Sequence, residues 1–322
     1  MGGDLAPAAV IAGAVQAVRR QQIGVVLVGA EDAVRAELAR LDPGPLPIAV
    51  VDAPETIAMH ESPLAALRRK PRASVRVAAG IVAKGEAQAP FSAGHTGATL
   101  LAARAALGLL AGVDRPALAV TVPTRTGAAI LLDAGANPEC RPPHLCQFGV
   151  LGAAYAEVAL GVERPRVGLL SIGEEAGKGT DLIRDAHALL EAAPVDFIGN
   201  LEARDVFTGR ADVIVCDGFT GNVALKIGEG LVEAAELMLR EELGAELVSQ
   251  IGALLTRRAF QRFKQRVDYA EHGGAPLLGV DGVVVVGHGR STPQAVENGI
   301  GLAARLARQQ MVPRLGAALQ PN

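Results

Sequence analysis

Residues 166–192 read RVGLLSIGEEAGKGTDLIRDAHALLEA. An apolar run at 166–173 is closed by a glycine-rich turn, and residues 180–192 then space their apolar positions as a helix does. Strand, turn and helix in that order form the repeating unit of a parallel sheet covered by helices. The succession recurs along the chain. Strand-like runs stand at 23–29, 117–122, 212–217 and 283–287, and helical stretches at 30–41, 97–110, 222–243 and 292–310. Most of the runs are apolar on both faces, as central strands between two helical layers must be. Ser291-Thr292-Pro293 has the cap-then-proline chemistry of a helix start. The expectation is an α/β protein.

The 322 residues are half hydrophobic, with a mean hydropathy of +0.28 and 3% aromatics, so Ala, Val, Leu and Ile must build the core. The formal charge of -3 gives no global attraction to nucleic acid. The opening MGGDLAP lacks a basic-then-apolar signal pattern, and no apolar stretch is long enough to span a membrane, which points to the cytoplasm. Cys140, Cys146 and Cys216 form no CxxC pair and are expected to be free thiols. Cys216 lies inside an apolar run and reads as a small core residue. No histidine or cysteine spacing suits a metal, and no cofactor is expected.

Four glycine-rich turns follow strand-like runs: 92–97, 173–180, 217–222 and 287–291. Such turns gather at the carboxyl ends of parallel strands, where glycine lets the backbone approach an anion and helix N-termini offer free N–H groups. Glycines before helices are also common as plain tight connections. The turn at 173–180 is not a nucleotide P-loop, because three residues separate Gly173 from Gly177 and Gly179, not Ser or Thr, follows Lys178. It reads as a seat for a smaller anion with Lys178 as its cation, or as an exposed lysine in a turn. There is no opening dinucleotide fingerprint and no serine elbow.

The segments MGGD (1–4), SAGHTGAT (92–99), LDAGAN (132–137), QFG (147–149), RVGLLSIGEEAGKG (166–179), GNLE (199–202), VCDGFTGNVALK (215–226), GGAPLLG (273–279) and HG (288–289) together resemble one family. It is the acyl-acyl-carrier-protein:phosphate acyltransferase family of bacterial phospholipid synthesis, PlsX. The family usually carries Asn where His95 stands and Tyr where His272 stands. Its MGGD segment follows a short opening strand, so several native residues are expected ahead of Met1. The resemblance implies a three-layer α/β/α fold with a mostly parallel mixed sheet, similar to isocitrate and isopropylmalate dehydrogenases and to phosphotransacetylase. It also implies one acyltransferase domain over 1–322, a homodimer, and peripheral association with the inner face of the membrane.

The implied reaction moves a long-chain acyl group from acyl carrier protein to inorganic phosphate, with no covalent intermediate. Lys178 is expected to hold phosphate, while the Asn222 amide and helix-start N–H groups stabilise the tetrahedral oxyanion; a plain helix cap is the other reading of Asn222. Gly94, Thr96, Gly97, Gly177 and Gly179 are expected to line the phosphate seat, with Asp4, His95, Asn200, Asp217 and His288 as further pocket candidates. A protruding basic amphipathic element is expected at about 243–270. Its Arg257, Arg258, Arg262, Lys264 and Arg266 suit an acidic carrier protein, or form a solvated helix face. Two other readings stay open: a decarboxylating NAD-dependent dehydrogenase on the same implied fold, and an inactive regulator that binds acyl carrier protein.

Overall fold

A computed structural model describes residues 1–267 and 273–320. In chain order its elements are α1 (Ala8–Gln21), β1 (Val25–Gly29), α2 (Glu31–Leu41), β2 (Ile48–Asp52), α3 (Pro63–Arg69), α4 (Ser74–Ala83), β3 (Phe91–Ser92) and α5 (Thr96–Leu107). Then follow β4 (Ala117–Leu118), β5 (Val120–Pro123), β6 (Ala128–Leu132), α6 (Pro142–Leu160), β7 (Arg166–Leu170), α7 (Asp181–Glu191) and β8 (Asp196–Leu201). A short 3-10 turn precedes β9 (Val213–Val215), α8 (Gly218–Ala245), α9 (Leu247–Val267), β10 (Ala275–Leu278), β11 (Val285–Val286), α10 (Pro293–Arg308) and α11 (Met311–Ala318). His272 lies outside the described residues.

The strands form three sheets, ordered β1-β2, β3-β11-β10-β4 and β5-β6-β9-β7-β8. Parallel pairings predominate, with antiparallel ones at β5-β6, β10-β11 and β10-β4. The five-stranded sheet explains its own sequence. Ile130, Leu132, Val167, Leu169, Val213 and Val215 face one side, with Leu145, Phe148 and Leu190 of α6 and α7 in the same cluster. The alternate residues Leu131, Leu170, Ile214 and Cys216 face the other side with Val206. Burial pushes the Cys216 thiol well above its ordinary pKa, as befits a core residue. Close packing also sets residue size: a Cβ on Gly152 of α6 would stand 2.6 Å from Val213.

The run at 117–122 is not one strand. Ala117–Leu118 pairs with β10, Val120–Pro123 with β6, and the chain changes sheets at Ala119, whose N–H donates to Pro276.

Between β1 and β3 the architecture leaves a slot. Among the described residues β1 pairs only with β2, and β3 only with β11, so each leaves one edge unpaired there. The cavity between them, about 940 Å³, runs along Val25–Val28 of β1 and is covered by Val75 and Ile81 of α4 and by Ile300 and Ala303 of α10. Met1 also lines it, and burial lowers the pKa of its amino group.

Helices α8 and α9 form a hairpin. Leu231, Leu237, Met238, Ile251, Leu254 and Leu255 are all exposed on it. Lys264 is tied to Glu236 at 2.9 Å, and Arg266 donates to the Thr124 carbonyl at 3.0 Å. Among the described residues no helix is long and apolar enough to cross a membrane.

Candidate active site

The chain leaves β3 through Ala93, Gly94 and His95 and enters α5. Thr99 Oγ1 lies 3.1 Å from Ser92 Oγ, which also accepts the Gly94 N–H, and this closes the turn. His95 is the N-cap residue of α5 and makes no side-chain cap. Its Nε2 instead lies 3.1 Å from the Glu61 carbonyl, an oxygen that can only accept, so the ring proton sits there. The Thr96, Gly97 and Ala98 N–H groups have no partner among the described residues, and the helical ladder begins with Thr99 N–H to His95 O. Three uncapped donors at the positive end of a helix dipole make an anion seat.

Two other segments meet this turn. A Cβ on Gly3 would lie 2.7 Å from the Ala93 carbonyl and 3.2 Å from that of Gly289, so only glycine threads between them. The Asp4 N–H donates to Gly289 O at 2.9 Å. Met1–Asp4, the turn before α5 and the turn after β11 are therefore one cluster. His288, exposed beside Gly289, joins it to α8, since its Nε2 lies 3.1 Å from Lys226 Nζ, which also bonds Glu229 at 2.6 Å.

The start of α8 is organised differently. Asp217, named as a pocket candidate, is the N-cap: its carboxyl accepts the Thr220 N–H at 2.9 Å and the Thr220 hydroxyl at 2.7 Å. Gly218 N–H goes to Asn137 O, and Gly221 N–H to Asp217 O. Only the Phe219 N–H is free there among the described residues, so helix-start amides at α8 are not a ready oxyanion hole. Asn222 is not a cap either. It stands in the second turn of α8, exposed, against Gly135, and its side-chain amide has no partner among the described residues.

Behind this turn, fully buried Asp133 accepts five hydrogen bonds: from the N–H groups of Leu118, Gly135, Ala136 and Asn137 and from the Asn137 side chain. Burial and the Asp133 charge push the nearby Cys140 thiol up to about 11.

The fourth turn, after β7, carries Lys178. β7 pairs in parallel with β9, so this turn starts one strand spacing from Asp217. Lys178 is exposed, and its ammonium has no partner among the described residues. Gly177 is exposed beside it, and Gly179 takes a φ of +100°, a conformation suited to glycine. Of the two carboxylates here, Glu174 is bound by Arg210 at 2.7 Å, and that guanidinium lowers its pKa. Asn200 does not face a pocket. It is 1% exposed, and its amide donates to Glu175 O at 2.9 Å.

Two of the four turns, at 92–97 and 287–291, are thus joined through Met1–Asp4, and His288 ties them to α8 at Lys226, beyond the turn at 217–222. The turn carrying Lys178 makes no hydrogen bond or ion pair to the other three among the described residues. Sequence reasoning singled out neither Lys226 nor Asp133. The signal for Lys226 was its place four residues after Asn222, which puts both on one face of α8.

The comparisons agree with this architecture. A family model described as fatty acid synthesis protein matches residues 1–314. The phosphate acyltransferase of Citrifermentans bemidjiense is 49% identical over 322 residues, covering 100% of this chain and 92% of that protein. That of Acidobacterium capsulatum is 50% identical over 307 residues, covering 95% and 91%. Among solved structures, a phosphotransacetylase from Streptococcus pyogenes matches with a TM-score of 0.64 at 15% identity, covering 96% of this chain and 92% of that one. EutD phosphotransacetylase from Staphylococcus aureus matches at 0.59 and 16% identity, covering 92% and 89%, and both likenesses are of fold. The length and level of the sequence matches place this chain in the phosphate acyltransferase family of fatty acid synthesis proteins.

Proposed function

We propose that the protein transfers a long-chain fatty acyl group from acyl carrier protein to inorganic phosphate, giving an acyl phosphate for glycerophospholipid synthesis. The observation that carries the reading is the α5 N-terminus, where three N–H groups without partners among the described residues open beside Gly94 and the Met1–Asp4 cluster. Phosphate seats there. An oxygen of hydrogen phosphate attacks the thioester carbonyl, the C–O bond forms, the C–S bond breaks, and the thiolate leaves with the bonding electrons and takes up the proton released by phosphate.

A thiol of pKa near 8.5 leaves without strong acid assistance, and phosphate is already anionic. The protein's work is therefore placement, of order 7–11 kcal/mol, and charge stabilisation, about 2.7–4 kcal/mol for one preorganised donor. Lys178 offsets the phosphate charge, and the Asn222 amide donates to the developing oxyanion.

The carrier protein docks through Arg257, Arg258 and Arg262, which are exposed and without ion-pair partners among the described residues. The exposed apolar residues of the α8–α9 hairpin suit a homodimer and peripheral contact with the inner membrane face.

The test is incubation with long-chain acyl carrier protein and phosphate, trapping product with hydroxylamine. Phosphate-dependent hydroxamate is expected, with Lys178→Ala lowering turnover about 10²–10³-fold at unchanged fold. Hydroxamate formation independent of phosphate, or a fully active Lys178→Ala enzyme, overturns the reading.

A further inference from the structure

The turn that carries Lys178 is held from inside the protein. Most of its outer residues, 174–178, are exposed, and Gly177 and Gly179 give it freedom to move. Its ties at the surface are Ser171 Oγ to Lys178 O at 3.4 Å, Arg184 to Gly179 O at 2.9 Å and Arg210 to the Glu174 carboxylate at 2.7 Å. A further tie comes through the core. The Glu175 carbonyl receives two donors, the Lys178 backbone N–H at 3.0 Å and the Asn200 side-chain amide at 2.9 Å.

Because a carbonyl can only accept, the Asn200 nitrogen faces Glu175 and its Oδ1 faces the other way, 2.9 Å from His187 Nδ1. His187 Nδ1 must then be the donor. His187 is 7% exposed on α7, with the Phe197 ring edge-on at 5.0 Å and Glu191 3.5 Å from its Nε2.

We propose that His187 is a positioning residue for the transfer reaction: through Asn200 and the Glu175 carbonyl it fixes the backbone from which Lys178 reaches phosphate. This rests on the reading that Lys178 meets phosphate. His187 belongs to none of the motifs that carry the family resemblance. A buried hydrogen-bonded relay that ends at the Lys178 backbone is what sets it apart from an ordinary core histidine.

The two amide replacements separate the roles. Asn at 187 places its NH₂ near the Nδ1 position, whereas Gln places it near Nε2 and leaves Asn200 without a donor. In the full-length enzyme, His187→Gln is expected to raise the KM for phosphate about tenfold, with the KM for the thioester little changed, and His187→Asn to restore it to within about twofold. The same variants are read by hydrogen exchange at the Lys178 N–H, which should quicken in His187→Gln and not in His187→Asn. Equal impairment of both variants, or an unchanged phosphate KM and exchange in His187→Gln, overturns the proposal. A wild-type enzyme without phosphate-dependent transfer, but with the expected exchange difference, removes the phosphate reading and leaves the relay standing.

Discussion

The turns that open α5 and α8 look alike in sequence, each a glycine-rich step from a strand into a helix, yet they use their glycines and amides in opposite ways. At α8 the first turn is closed on itself. Asp217 caps it, Asn137 and Asp217 take the Gly218 and Gly221 N–H groups, and buried Asp133 stands directly behind. At α5 the capping side chain is turned away to Glu61, and three amides remain without partners among the described residues. The difference teaches that a glycine before a helix does not announce an anion site. What decides is whether the residue at the cap keeps its side chain on the helix or spends it elsewhere.

The largest effect that separates the two turns is on stability. A Cβ at Gly221 would collide with the Asp133 backbone carbonyl, which cannot retreat because its residue is anchored by five hydrogen bonds. Gly221→Ala is therefore expected to cost about 4 kcal/mol of folding free energy in denaturant unfolding. At Gly97 the nearest neighbour would be a Pro63 ring carbon at 3.0 Å, which can give way, and Gly97→Ala should cost about 1 kcal/mol or less. Equal losses at the two glycines would erase the distinction between a packing turn and a binding turn.

The contrast also marks what the sequence made legible. The runs at 166–173 and 212–217 were readable as central strands because both faces are apolar, and Val167, Leu169, Val213 and Val215 are indeed fully buried. The switch of sheets at Ala119 was not, since an unbroken apolar run carries no mark of where its hydrogen-bonding partner changes. Helix α6 escaped notice because Leu145, Phe148, Leu151 and Tyr155 are joined by buried Gly149, Gly152 and Ala156, which blurs the amphipathic period. At the site, the glycines of all four turns were visible. Capping was not: Asp217 and His95 are both polar residues at a helix start, and only the fold shows which of them bonds to its own helix.

The α5 turn differs from the α8 turn in its backing as well, since Gly94 and Met1 line the cavity between β1 and β3. Extending the chain ahead of Met1 by about five apolar residues should fill the slot as a strand and stabilise the protein by roughly 2 kcal/mol net of chain entropy. The melting temperature should rise by about 4 °C, and the Met1 amino group would be replaced by a peptide bond. No rise, or a fall, would mean that the slot does not accept a strand.

A subtler probe reads the open amides one at a time. Thr96 is the first residue of α5, the position where proline fits a helix, and His95 before it already has the extended backbone that proline requires. Thr96→Pro removes one free N–H and leaves the helix intact. One hydrogen bond to an anion, about 1.4 kcal/mol, corresponds to a roughly tenfold higher KM for phosphate. An unchanged KM would move the phosphate seat away from α5.

The smallest expected effect lies farthest from both turns, on the α8–α9 hairpin, and there too the difference is between groups that are spent and groups that are free. Lys264 is held by Glu236 and Arg266 by the Thr124 carbonyl, while Arg262 has no partner among the described residues. A solvated cation attracts an acidic partner through water, so its contribution is small and screened by salt. Arg262→Glu is expected to raise the KM for acyl carrier protein about threefold at low ionic strength, with the difference vanishing at high salt. Lys264→Glu sets its new charge against Glu236 and should instead loosen the hairpin, visible as a lower melting temperature of the arm rather than as a salt-dependent KM. If both variants changed only KM, and in the same proportion, the free and the spent cations would belong to one docking surface after all.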